Sequence, residues 1–130
     1  MPQLKIAKPF LKNYNTLTQI LTDKALAALG DAYVNFVYSL AISRKTKKPF
    51  GKKVKGTPLA EAIRKAGLRE QLPSRIDKHV LSDAAEALLV YVWLNEFITL
   101  EESVEALEKQ DDLEKGLTQL LLKAKEKVKL

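Results

Sequence analysis

Two carboxylates, Asp83 and Glu86, stand three residues apart near the head of the segment HVLSDAAEALLVYVWL, residues 79–94, which then runs on into apolar residues. Three-residue spacing makes them neighbours on one face of a helix, and His79 lies one turn earlier on the same stripe. From Ala84 to Leu94 only Glu86 is charged, so this helix has no broad polar face and is expected to be largely buried. An ionised carboxylate taken out of water alone is costly, so both acids need cationic company. Arg75, Lys78 or Arg44 could supply it, and so could a metal ion.

A third acid lies in a second apolar stretch, GDAYVNFVYSLAIS at residues 30–43, where Asp31 and Asn35 share a face four residues apart. If the two helices cross where Gly30 and Ala32 meet Ala84 and Ala85, the small residues let the backbones approach and bring Asp31, Asp83 and Glu86 together. Mutual repulsion disfavours such a trio without a divalent cation. A simpler possibility is that Asp31 merely caps a helix that starts after Gly30. With no cysteine and a single histidine in the chain, a metal would be held by oxygen, which suits Mg2+ or Mn2+. Such an ion polarises a phosphate and activates water for hydrolysis.

The net charge of +6 is unevenly spread, since RKTKKPFGKKVK at residues 44–55 holds seven Lys or Arg and no acid. Broken by Pro49 and Gly51, the stretch reads as an exposed loop. Its Lys45, Lys47, Lys48, Lys52, Lys53 and Lys55 are suited to phosphates, with salt-dependent affinity and no base specificity.

These groups sit on a chain of 130 residues, 46% hydrophobic, which fits one domain over residues 1–130 without disulfides. No unbroken apolar run reaches the length of a bilayer span, and MPQLKIAKPF lacks the apolar core of a secretory signal, so the expectation is a cytoplasmic protein outside the membrane. No two-residue alternation appears, and the fold class is all-α. A first helix is expected near Thr16 to Thr22, then one capped by Asp23 through KALAALG, then the central helix from Gly30. In GTPLAEAIRKAGL, Thr57 reads as N-cap, Pro58 as first helical residue and Gly67 as stop. The second central helix starts near Ser74 to Asp77 and reaches Trp93 or Asn95. TLEE at 99–102 reads as a capping box, and the tail as an amphipathic helix whose leucines complete the core or face a partner.

ALGDAYV at 28–34 and LSDAAEALLVYVWL at 81–94 resemble the two signature stretches of the ribonuclease III endonuclease domain. TPLAEAIRKAGLREQL between them resembles the short helix that precedes the family's second acidic motif. The resemblance implies a helical bundle of that type and a divalent-metal-dependent endoribonuclease acting on double-stranded or structured RNA. It gives metal-binding roles to Asp31, Asp83 and Glu86, with Asp31 and Glu86 catalytic, and implies a homodimer with a valley for the duplex. The family's usual glutamate four residues before the first aspartate is replaced by Ala27, as in the compact Mini-III branch, and Glu61 is the nearest acid to a further one. The 130 residues leave no room for the double-stranded-RNA-binding domain that usually follows in the family, so the expectation is that the grip on substrate comes from elsewhere. The alternative is a nuclease-like fold that binds RNA or a ribosomal particle without cutting it.

Overall fold

A computed structural model describes residues 6–130. Six α-helices carry the fold: α1 (Leu17–Leu21), α2 (Lys24–Thr46), α3 (Gly56–Lys65), α4 (Lys78–Leu94), α5 (Leu100–Glu108) and α6 (Leu113–Lys127). A short 3-10 turn at Arg69–Gln71 joins α3 to the approach to α4, and no strand paired into a β-sheet occurs among the described residues. The all-α expectation holds.

The starts of the helices follow from local chemistry. Thr16, Asp23, Asp77, Thr99 and Asp112 each accept a backbone N–H of the first turn that has no partner within the helix. At α5 the capping box is complete, because Glu102 also accepts the Thr99 N–H at 2.9 Å. One expected cap is wrong. α3 begins at Gly56 after Lys55, so Thr57 lies inside the first turn, where its hydroxyl accepts from Lys78 Nζ at 3.1 Å. Pro58 is tolerated there because first-turn N–H groups need no intrahelical acceptor. Gly67, at φ 75°, ends the helix with Leu68 N–H donating back to Ile63 C=O at 3.2 Å.

α4 is the axis of the molecule. Every residue from Ala84 to Val92 is buried, because α1, α2, α3 and α6 all pack against it. That enclosure is what its all-round apolar sequence requires. α6 closes the bundle with Leu117, Leu120 and Leu121 buried, so the tail completes this chain's own core and leaves Leu122 partly exposed. Arg44, at the end of α2, pairs with Glu101 at 2.7 Å and Glu108 at 3.1 Å on α5, not with either acid of α4.

The largest departure from the sequence reading is at Gly30. No break occurs there: α2 runs unbroken for 23 residues, and Asp31 is not a cap. This continuity gives α2 an 18-residue window of mean hydropathy 1.4, long and apolar enough by composition to cross a membrane, contrary to expectation. Its packing is that of a core helix, with Leu26, Ala27, Gly30, Tyr33, Val34, Val37 and Ala41 buried and with α4 and α5 against it. Tyr33 stacks on Trp93 of α4, centroids 4.9 Å apart, and donates to Ser103 Oγ of α5 at 3.0 Å.

Glycine at position 30 serves a close approach. A Cβ built on Gly30 would lie 2.1 Å from the Glu86 carbonyl oxygen and 2.5 Å from its carbon, with backbone that cannot swing aside. The two helices do cross at Gly30, but the glycine meets Glu86 in place of Ala84 or Ala85, and Ala32 is exposed. Gly30→Ala is expected to destabilise the fold by at least about 3 kcal/mol in urea unfolding, despite alanine's better helix propensity. Gly51→Ala, with open space around it, is the matched control and is expected to be close to neutral. Equal stability of the two variants would mean that α2 and α4 do not meet this closely.

Candidate metal and RNA site

The crossing places Glu86 with its backbone against Gly30 and its side chain beside Asp31, the residue that follows. Glu86 is only 6% exposed, Asp83 is half-buried and Asp31 is exposed. No Lys, Arg or His among the described residues forms a salt bridge with Asp31, Asp83 or Glu86. Of the side-chain partners considered from sequence, Arg44 is engaged on α5 and Lys78 reaches Thr57, while Arg75 forms no ion pair. The acids of α4 thus lack the cationic side chain that their burial demands.

Their electrostatics record this. Burial, then hydrogen bonding to Asp31 and the negative charges of Asp31 and Asp83, pushes the Glu86 carboxyl up to about 8. Asp83 is also raised, chiefly by burial, with His79 and Lys24 opposing the shift. It borders a small cleft of about 100 Å³ with Lys24 and Val80. His79 itself is exposed in the first turn of α4.

The donor set is carboxyl oxygen, with no salt bridge to it among the described residues, which suits a hard divalent ion. Asp31 and Asp83 both lie close enough to Glu86 to act on its carboxyl. Among the described residues, however, no group of three or more His, Asp or Glu side chains is gathered closely enough to hold an ion as placed. Engaging Asp83 together with the other two requires its side chain to move. Ala27 lies one turn before Asp31 on the continuous helix but is 4% exposed within the hydrophobic core, so that position is packed with apolar atoms.

Sequence reasoning missed what lies beside this site. Asn35 donates from Nδ2 to Asp31 Oδ1 at 3.3 Å and accepts the Val54 N–H on Oδ1 at 2.7 Å. One turn on, Ser39 Oγ accepts the Lys52 N–H at 2.9 Å and faces the Lys52 carbonyl at 3.1 Å. A further turn on, Ser43 Oγ accepts the Phe50 N–H at 3.0 Å. Each four-residue step along α2 advances about 6 Å and is matched by a two-residue step of about 6.6 Å along the antiparallel chain. Residues 50–54 of the basic segment are therefore an extended strand pinned along a helix, while residues 44–46 belong to α2 itself. The polar residues 35, 39 and 43, four apart in an otherwise apolar stretch, were the signal for it.

Lys47, Lys48, Lys52, Lys53 and Lys55 are all exposed and form no ion pair among the described residues. Lys45 is set apart from them. It belongs to α2, and its Nζ donates to the Gln110 carbonyl at 2.9 Å, with Asp111 at 4.0 Å. A groove of about 540 Å³ between α2, α5 and the end of α4 lies elsewhere again; its Arg44 and Glu101 already satisfy one another.

A helical domain whose two central helices bring acidic residues together beside a lysine-rich edge is the class of protein defined by this fold and site. The family model described as Ribonuclease III matches residues 24–129, nearly the whole chain, which therefore belongs to the ribonuclease III family. No curated protein matches it.

The raised carboxyl makes a signed prediction. Glu86 holds its proton to about 8 when folded, against 4.5 ordinarily, so the folded state binds more protons between these values and stability falls as pH rises through that window. In EDTA, Glu86→Gln is expected to match the parent at about pH 4 and to exceed it by on the order of 1–3 kcal/mol at about pH 9 in chemical unfolding. Lower stability than the parent at the higher pH would make Glu86 a member of a structural ion pair.

Proposed function

We propose that this ribonuclease III family chain is a divalent-metal-dependent endoribonuclease that hydrolyses phosphodiester bonds of double-stranded or structured RNA. The observation that carries the proposal is the close crossing of α2 and α4 at Gly30 and Glu86, which sets Asp31 beside the crossing and Asp83 one turn away, with no salt bridge to any of the three acids among the described residues. Asp31, Asp83 and Glu86 would hold Mg2+ or Mn2+, which supplies polarisation of the phosphate and activation of water when bound. Asn35 orients the Asp31 carboxylate through its amide. Lys47, Lys48, Lys52, Lys53 and Lys55 line an edge that begins one helical turn from Asp31 and offers contacts to phosphates rather than to bases.

A homodimer is part of the proposal. Leu29 and Phe36 are exposed at 40% and 53%, and with the exposed Ala25, Ala28 and Ala32 they form an apolar stripe on the outer face of α2. A second copy meeting this stripe would cover it and place two acidic sites and two lysine edges on one particle. The alternative, RNA binding without cleavage, draws support from Ala27, whose buried methyl stands where the family's usual members carry a glutamate.

Cleavage of duplex RNA in magnesium, compared between parent and Asp31→Asn, tests the proposal. The variant is expected to lose cleavage by several orders of magnitude while still binding the duplex in EDTA. Binding by both proteins with cleavage by neither would favour the non-catalytic alternative. Replacing Lys47, Lys48, Lys52 and Lys53 together by alanine is expected to flatten the slope of log affinity against log salt by roughly 1 for each lysine that meets a phosphate. An unchanged slope would move the RNA path away from this edge.

A further inference from the structure

Phe50 stands in the middle of the basic segment with 52% of its surface exposed. Its surroundings separate it from an ordinary surface aromatic. The pair Lys47 and Lys48 precedes it, Lys52 and Lys53 follow, and all four are exposed and free of ion pairs among the described residues. Its backbone is fixed: the Phe50 N–H donates to Ser43 Oγ at 3.0 Å, and the single proton of that hydroxyl faces the carbonyls of Ser39 at 2.8 Å and Phe50 at 3.2 Å. Two residues later the Lys52 N–H is held by Ser39. A large apolar ring is thus presented to solvent from an anchored backbone between two pairs of cations.

We propose that Phe50 is a stacking platform for one unpaired nucleobase of a structured RNA, the flanking lysine pairs meeting the phosphates on either side of that nucleotide. This rests on the RNA-binding reading of the basic segment and adds a substrate class to it: RNA with an unpaired nucleotide beside a helix, in preference to a perfect duplex. Stacking suits this position because every base offers a π-face and none is accessible within a continuous helix. Anchoring the backbone lowers the ordering cost of binding, since only the ring's own rotamer remains to be fixed. The lysines give charge complementarity to the same ligand, with the ring supplying the contact that charge alone cannot.

The test uses the full chain in EDTA, so that binding is read without cleavage, and two hairpin RNAs that differ by one bulged 2-aminopurine. The parent is expected to bind the bulged hairpin more tightly than the fully paired one and to quench its fluorescence. Phe50→Ala is expected to weaken binding to the bulged RNA by roughly 5- to 100-fold. It should abolish the quenching and leave both the affinity for the paired hairpin and the salt slope unchanged, while Phe50→Tyr retains the parent's preference. Because the ring is exposed, these substitutions leave the core untouched, and circular dichroism verifies the fold.

Equal affinity of the parent for the two hairpins overturns the proposal, and so does equal weakening of both by Phe50→Ala. Failure to bind either RNA overturns the underlying reading together with it, which separates the two failures. A shift of Phe50→Ala from dimer to monomer in sedimentation assigns the ring to a second copy of the chain and overturns the stacking role. Phe50-dependent binding to phosphatidylserine vesicles, with no effect on RNA, assigns it to a lipid surface and does the same.

Discussion

The contact between Gly30 and the backbone of Glu86 is the constraint on which the remaining structure turns. α2 and α4 approach so closely there that no side chain fits between them, and the chemistry of the site follows from that separation. Asp31 is the next residue after the glycine, and Glu86 is the residue it touches. The two acids are therefore drawn together by main-chain packing, against their own repulsion. The apolar lengths of α2 and α4 drive the crossing, and the raised Glu86 carboxyl is the electrostatic record of what that packing imposes.

Charge is sorted along α2. Its inner face is apolar, and Asp31 near its start belongs to the acidic crossing. Asn35, Ser39 and Ser43 then form a polar seam that holds the lysine-bearing strand. At the far end Arg44 and Lys45 are tied to α5 and to the turn after it. One helix thereby serves the core, the carboxylate pair and the cationic edge, and Asn35 is the joint, with one amide bonded to both the acid and the strand.

Much of this was legible in the chain. The helix starts at Asp23 and Thr99 could be read, and that at Asp77 to within a few residues, because each cap is a local bond between residues a few positions apart. The burial of α4 could be read because its apolar character extends round the helix. Gly30 was misread because a glycine among helix formers signals a break as readily as a contact, and the distinction lies in a neighbour 56 positions away. Thr57 failed as a cap because α3 already starts at Gly56, leaving its hydroxyl to accept from Lys78 of another helix. The convergence of Asp31 and Glu86 was visible as a conditional, resting on a crossing that spacing suggests. The fate of the lysines was not, since whether a charged loop is free or pinned depends on three polar side chains presented by another element.

The pairing of strand 50–54 with α2 also constrains how this chain can vary. Two strand residues accompany each helical turn, so successive positions on the strand alternate between those that bond to α2 and those that do not. Insertion or loss of one residue between two rungs would put the next bonding group out of phase and exchange which residues face the helix, whereas a change of two would shift the strand by one whole turn and preserve the alternation. Length in this segment is thus quantised in pairs. A segment that looks, by composition, like the most permissive part of the sequence is governed by the kind of parity rule otherwise associated with the interior of a β-sheet.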